Sequence, residues 1–193
     1  MVAVGQPATR NATPIAKALN ADGTVNTRGG FNGSLDPAGF RLLTGPNGEP
    51  RFIRQSGAVA SVPEDSLWDT RFGLEGVVGT NRGVAAIAVY GGDLYIGGDF
   101  LTLGNLLVNG IARWDGTTWH ALGSGAGGVL AMAVFGADLY VGGSFTKAGG
   151  LSSIGIARWD GSSWHALGFG KGPVTALAVM GTDLYVGGNF GTA

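Results

Sequence analysis

Cysteine is absent from the 193-residue chain, which excludes disulfides, thiol catalysis, cysteine-ligated zinc and iron–sulfur clusters together. Charge is scarce and balanced. Lys and Arg number 12 against 13 Asp and Glu, a net charge of −1, so there is no basic field to recruit nucleic acid or an anionic membrane surface. The longest uninterrupted apolar run, Val84 to Tyr90, is seven residues, far short of the roughly 20 needed by a spanning helix. No membrane insertion is expected. The opening stretch MVAVGQPATRNATP lacks a basic region followed by an apolar one, so no signal peptide is visible; a mature secreted chain or an excised fragment would look the same. G-x-S-x-G, P-loop, Rossmann glycine and His-Glu-x-x-His patterns are all missing. No cofactor and no metal are expected.

What is abundant is glycine, 38 residues, about three times the usual share. The glycines lack the triplet period of collagen and sit among 45% hydrophobic residues, so they belong to turns of a globular chain rather than to a linker. They recur with a period. Residues 84–128 laid on 129–173 without a gap match at 27 of 45 positions, and 174–193 continue the pattern. Tyr95, Tyr140 and Tyr185 mark the step, as do Trp114 and Trp159.

Within a copy, GVLAMAVFGADLYVGGSF predicts two short strands joined by a Gly-Ala-Asp turn. After the connection TKAGGLSSIG, the segment IARWDGSSWHALG predicts a second hairpin around Asp160-Gly161, with Trp159 and Trp164 flanking the turn. The first strand is apolar on both faces: Ala131 and Ala133 on one, Met132 and Val134 on the other. Both faces must therefore be covered, and small residues belong where sheets crowd. Four-stranded antiparallel blades packed face to face at a period of about 45 residues satisfy both conditions, so the expected fold is an all-β, propeller-type array with an incomplete ring. The boundaries follow: an amino-terminal arm or cap at 1–38, a degenerate blade or a separate cap at 39–83, repeats at 84–128 and 129–173, and a half repeat at 174–193. In the first part, GFRLLTGPNGEPRFIRQ predicts a hairpin, and SLWDTRFG echoes the Trp-Asp signature. Thr13 before Pro14 could cap a short helix through Leu19, the alternative being a loosely packed extended arm.

The string LYVGGSFTKAGG followed by IARWDGSSWHALGFG resembles the repeat of bacterial secreted and cell-surface β-propellers, related in style to kelch propellers and to fungal cortical polarity marker repeats. The resemblance covers about residues 84–193 and implies a propeller fold and a secreted or cell-surface location. It carries over no catalytic residue. Such proteins usually have more copies than this sequence contains.

The repeat also explains most residues that would otherwise suggest chemistry. His120 and His165 hold equivalent positions, which neighbouring blades would displace from one another rather than converge on one site. Asp93, Asp138 and Asp183 in one turn, and Asp115 and Asp160 in the next, are expected to bind turn amides. GGDF at 97–100 is matched by GGSF and GGNF and is a repeat position. Arg113 and Arg158 either form a cationic row suited to sugars or carboxylates, or lie along apolar side chains. Carboxylates for a propeller glycosidase or lyase would have to come from Glu49, Glu64, Asp65 and Glu75 in the irregular first part.

Function is expected where repeats differ, because loops on a rigid scaffold carry binding. LTLGNLLVNG (101–110) is more apolar than its counterpart TKAGGLSSIG, which makes Leu101, Leu103, Asn105, Leu107 and Val108 candidate contact residues. The alternative is that they pack beneath the amino-terminal segment. A second candidate is the strand from Leu184 to Phe190, where Leu184, Tyr185, Val186 and Phe190 would form an open edge for assembly; the alternative is that the unfinished last repeat marks a fragment, or the ordered part, of a longer protein. The leading expectation is a non-catalytic scaffold binding protein or polysaccharide. The alternative is a self-assembling subunit whose last blade another chain completes.

Overall fold

The computed structural model describes residues 12–45, 48–54, 79–167 and 172–189. Apart from two single 3-10 turns, Ile15–Ala18 and Thr27–Gly29, every regular element described is a β-strand. The amino-terminal region supplies β1 (Thr13–Pro14), β2 (Gly33–Asp36), β3 (Phe40–Thr44) and β4 (Pro50–Arg54). The first repeat holds β5 (Gly79–Tyr90), β6 (Asp93–Phe100), β7 (Thr102–Leu103), β8 (Leu106–Leu107), β9 (Ile111–Trp114) and β10 (Trp119–Ala121). The second holds β11 (Val129–Phe135), β12 (Asp138–Gly143), β13 (Lys147–Ala148), β14 (Leu151–Ser152), β15 (Ile156–Trp159) and β16 (Trp164–Ala166). The last described strands are β17 (Val174–Met180) and β18 (Asp183–Gly188).

Each full repeat makes four antiparallel strands, in the order β5-β6-β9-β10 and then β11-β12-β15-β16. The two hairpins expected in each copy are present, with Met132 opposite Val141 in the first and Trp159 opposite Trp164 across the second. The indoles pair across the second hairpin at 5.4 Å, and Trp114 and Trp119 repeat the contact at 5.3 Å. The connection between hairpins carries more structure than its sequence suggests. In both copies it folds into a two-stranded ribbon, β7–β8 and β13–β14.

The sheets pack face to face. Ala86, Ala88, Tyr95 and Ile111 of the first sheet share a core with Met132, Val141 and Trp159 of the second. The opposite face of the second, at Ala131, Ala133 and Ile156, meets Val174 and Leu177 of the third. Small residues at these faces follow from the close approach: a Cβ on Gly97 would sit 2.4 Å from Val129 Cγ1, and one on Gly142 would sit 2.6 Å from Val174 Cγ1. Polar bonds tie the stack as well. Tyr90 donates its hydroxyl to the oxygen of Ala137, 2.7 Å away in the next sheet's turn. Among the described residues the sheets form no closed ring.

The amino-terminal segment is an integral layer. β2 runs antiparallel to the free edge of β5, with Ser34 opposite Ala88, and β1 pairs in parallel with β2. Ser34 Oγ also donates to the oxygen of Met132 in β11, so β2 bridges two sheets. Ile15, Val25, Leu35 and Phe52 cover the outer face of the first sheet at Ile87, Val89 and Leu94. Burying a side chain of this size contributes about 1.5–3 kcal/mol, which offsets part of the cost of ordering the segment. The segment is thus neither loose nor an α-helix. Thr13 lies in β1, and the turn that follows is a 3-10 turn after Pro14 with no side-chain cap. The expected hairpin at 40–54 forms as β3–β4, with Leu42 opposite Phe52. The Trp-Asp echo around Trp68 lies outside the described residues.

Candidate functional site

The polar residues of the repeat are absorbed by local structure. Asp115 Oδ1 accepts bonds from the Thr117 and Thr118 amides at 2.8 and 2.9 Å, and its Oδ2 lies 2.6 Å from His120 Nε2. Asp160 repeats the pattern with the amides of Ser162 and Ser163, both at 2.8 Å, and with His165 Nε2 at 2.6 Å. These bonds hold both carboxyls well below the usual carboxylate range. The Thr117 hydroxyl counts most at Asp115, and the His165 ring most at Asp160. Each histidine is thereby committed to the turn five residues upstream.

Asp93 and Asp138 correct the expectation of turn-amide bonding. Standing at the starts of β6 and β12, they reach across the sheet to Arg113 at 3.4 Å and Arg158 at 2.9 Å. Burial pushes the Asp93 carboxyl up, and the Arg113 charge opposes that shift. The Asp138 bond raises the Arg158 guanidinium further above neutrality. The two arginines are therefore neutralised within their own sheets and form no free cationic row. The register explains the pairing: Tyr95 opposes Arg113 and Tyr140 opposes Arg158, one strand away from the aspartates. A sequence reading could have found these pairs, because Asp and Arg recur together 20 residues apart in both copies.

Glu49 sits beside Arg51 at 2.8 Å. Glu64, Asp65 and Glu75 lie outside the described residues. Among the described residues no group of three or more His, Cys, Asp or Glu side chains is placed to hold a metal ion.

The ribbon β7–β8 divides the loop candidates by burial. Leu101 and Leu107 are 55% and 66% exposed, and Asn105 is exposed at the ribbon turn. Leu103 is half-buried against the core that the amino-terminal segment shares. Val108 is only 1% exposed and belongs to that core, which removes it from any contact surface. Packing toward the amino-terminal segment therefore accounts for Leu103 and Val108, and leaves Leu101 and Leu107 unexplained by the core. The ribbon is anchored by Asn109 in a left-handed conformation (φ 45), which asparagine tolerates, with its Nδ2 donating to Ser124 O at 2.8 Å. The second copy presents Leu151 and Ile154 in the same region, also exposed.

The third sheet shows a different surface. β18 pairs with β17 and with no other described strand, whereas its counterparts β6 and β12 each have partners on both edges. Tyr185 and Val186 are 49% and 40% exposed, while Tyr95 and Val141 at the equivalent positions are buried. Leu184 is half-buried, and Phe190 lies outside the described residues.

Shallow clefts lie among the described residues. One, of about 240 Å³, runs between the amino-terminal segment and the first sheet past Arg28, Glu49 and Trp114. Another, of about 270 Å³, lies between Ser34, Ala133 and Leu177. No protein-family model matches the chain, and neither the curated proteins nor the solved structures contain a match to it.

Proposed function

We propose that the chain is a non-catalytic scaffold of β-propeller type, its stacked sheets serving as blades and the ribbon β7–β8 as a contact surface for a protein or polysaccharide. The observation that carries this reading is the pair Leu101 and Leu107, exposed at a ribbon whose other leucines, Leu103 and Leu106, are half-buried and whose neighbour Val108 is buried. Leucine at both positions stands where the next copy has Thr146 and Ser152, so these two apolar side chains are particular to the first copy. Asp93, Asp115, Asp138 and Asp160 and both histidines are engaged in turns and cross-strand pairs, which favours binding over hydrolysis. A secreted or cell-surface location goes with the resemblance of the repeat. The test is a panel of immobilised polysaccharides and extracellular-matrix proteins probed with the chain and with Leu101→Ser/Leu107→Ser. Retention of at least one ligand by the chain, lost in the double variant at unchanged melting temperature, supports the reading. Release of reducing ends from any polysaccharide contradicts it.

A second reading, a self-assembling subunit, is favoured by the apolar residues Tyr185 and Val186 on an open-edged strand. Sedimentation equilibrium tests it: mass should rise with concentration, and a strict monomer contradicts it.

A further inference from the structure

We propose that the cleft between the amino-terminal segment and the first sheet binds one acidic sugar ring, a hexuronate, with the Trp114 indole N–H and the Arg28 guanidinium as its two principal donors. The ribbon β7–β8 contributes no residue to this cleft. The two surfaces are separable by mutation.

The cleft arises where the stack departs from its repeat. Between the first and second sheets the Trp159 indole packs in one core with Tyr95, and its Nε1 is sealed there without a hydrogen bond. Burial raises the pKa of the Tyr95 hydroxyl and the Trp159 N–H opposes that rise, so the two polar groups lie close without meeting hydrogen-bond geometry. Trp114 holds the equivalent position one repeat earlier, and the layer before it brings no tyrosine, since Tyr90 is the first in the chain. In that place lies the cleft of about 240 Å³ that Trp114 borders. No described residue bonds the Trp114 indole N–H, and it is not sealed as that of Trp159 is, so it opens to the cleft. A tryptophan N–H at the wall of an apolar core calls for an acceptor, and here a ligand would bring it.

Much of the remaining lining is polar. Arg28 is exposed and has no ion-pair partner among the described residues. Glu49 also lines the cleft, but Arg51 holds it at 2.8 Å, which leaves Arg28 as the unbalanced charge. Asn26 precedes the 3-10 turn Thr27–Gly29 without capping it, so its side-chain amide is available both to donate and to accept. Asn20 spends its Nδ2 on Thr24 Oγ1 at 2.9 Å and keeps its Oδ1 as an acceptor. A fitting ligand therefore presents an acceptor to the indole, a carboxylate to the guanidinium and hydroxyls to the amides. The volume falls below the roughly 300–1,000 Å³ of sites for drug-sized molecules, so the cleft takes a single ring. A hexuronate meets each demand, whereas a neutral hexose lacks the anion and phosphate lacks the ring.

The probe is sodium glucuronate titrated into the 193-residue chain at constant ionic strength, with the indole N–H signals of the five tryptophans followed by NMR. The Trp114 signal should shift saturably with a Kd on the order of 1 mM, as the binding efficiency of small ligands allows, while the sealed Trp159 signal stays in place. Glucose should bind about fivefold more weakly, because it leaves the exposed Arg28 unpaired. Arg28→Gln should bring glucuronate to the affinity of glucose, and Asn26→Ala should weaken both sugars about threefold. Leu101→Ser/Leu107→Ser should change none of these values, so failure of this site is distinguishable from failure of the ribbon. Absence of a saturable Trp114 shift overturns the proposal, as does equal affinity for the two sugars or an Arg28→Gln variant that binds glucuronate as the parent does. A Trp114 shift that inorganic phosphate reproduces at the same Kd also overturns it, because the cleft then accepts any anion.

Discussion

The indole N–H of Trp164 donates to the main-chain oxygen of Leu122, 2.8 Å away, and ties the outermost strand of the second sheet to the loop leaving the first. Trp119 makes the same bond one repeat earlier, to Gly48 O at 3.2 Å, using the β3–β4 turn in place of a preceding repeat. The tryptophan of the second hairpin thus works between layers as well as within its own hairpin.

Trp164→Phe keeps the aromatic pair with Trp159 but strands the Leu122 oxygen and removes volume from a buried site. It should cost about 1–3 kcal/mol in urea denaturation. Trp119 is half-buried with a longer bond, so Trp119→Phe should cost under about 1 kcal/mol. Equal losses would contradict the interlayer role assigned to Trp164.

Much of this architecture is legible in the sequence because the repeat states it twice. The hairpin turns, the cross-strand tryptophans and the double-sided burial of β11 all follow from local pattern and period. The pairing of Leu35 with Ile87 does not, since the two are 52 positions apart and only tertiary packing decides that the free edge of β5 accepts β2. Short ribbons such as β13–β14 are equally hidden, because two-residue strands carry no periodicity. At the candidate site, divergence between copies takes in the exposed Leu101 and Leu107 together with the buried Val108. Apolar character alone cannot separate a contact residue from a core residue.

Equivalent glycines should respond differently to the same substitution. Gly142→Ala places a Cβ 2.6 Å from Val174 Cγ1 and should cost about 1–3 kcal/mol through overpacking. Gly187→Ala meets Ala176 Cβ at 3.4 Å, an ordinary contact, and should change stability by less than about 0.5 kcal/mol. Thermal melts of the two variants read the difference, and a similar loss in both would mean that a further layer covers the third sheet.

The amino-terminal layer should behave as core. Ile15→Ala deletes a fully buried side chain and should cost about 2–4 kcal/mol, whereas Ile154→Ala, at an exposed position after β14, should stay within about 0.5 kcal/mol. Guanidinium titrations of both variants distinguish an integral layer from a dispensable arm.

Acid should weaken the turns at Asp115 and Asp160. Their folded-state pKa values are depressed, so their contribution is complete above the unfolded carboxylate value of about 3.9 and is lost as pH falls through the depressed folded value. Asp160→Asn should therefore be less stable than the parent at neutral pH, and the gap should close as pH falls below about 4. A gap that widens in acid would reverse the sign assigned to this carboxylate.

The account rests on equivalent residues differing only in what covers them, and amide exchange at Ile96, Val141 and Val186 measures this most directly. Ile96 and Val141, each paired on both edges of their strands, should exchange slowly, while Val186 in the monomer should exchange at least about a hundredfold faster, a gap of some 3 kcal/mol in local opening. Equal, slow exchange at all three positions in a dilute monomer would contradict the open edge. Rapid exchange at Val141 would contradict the stack itself.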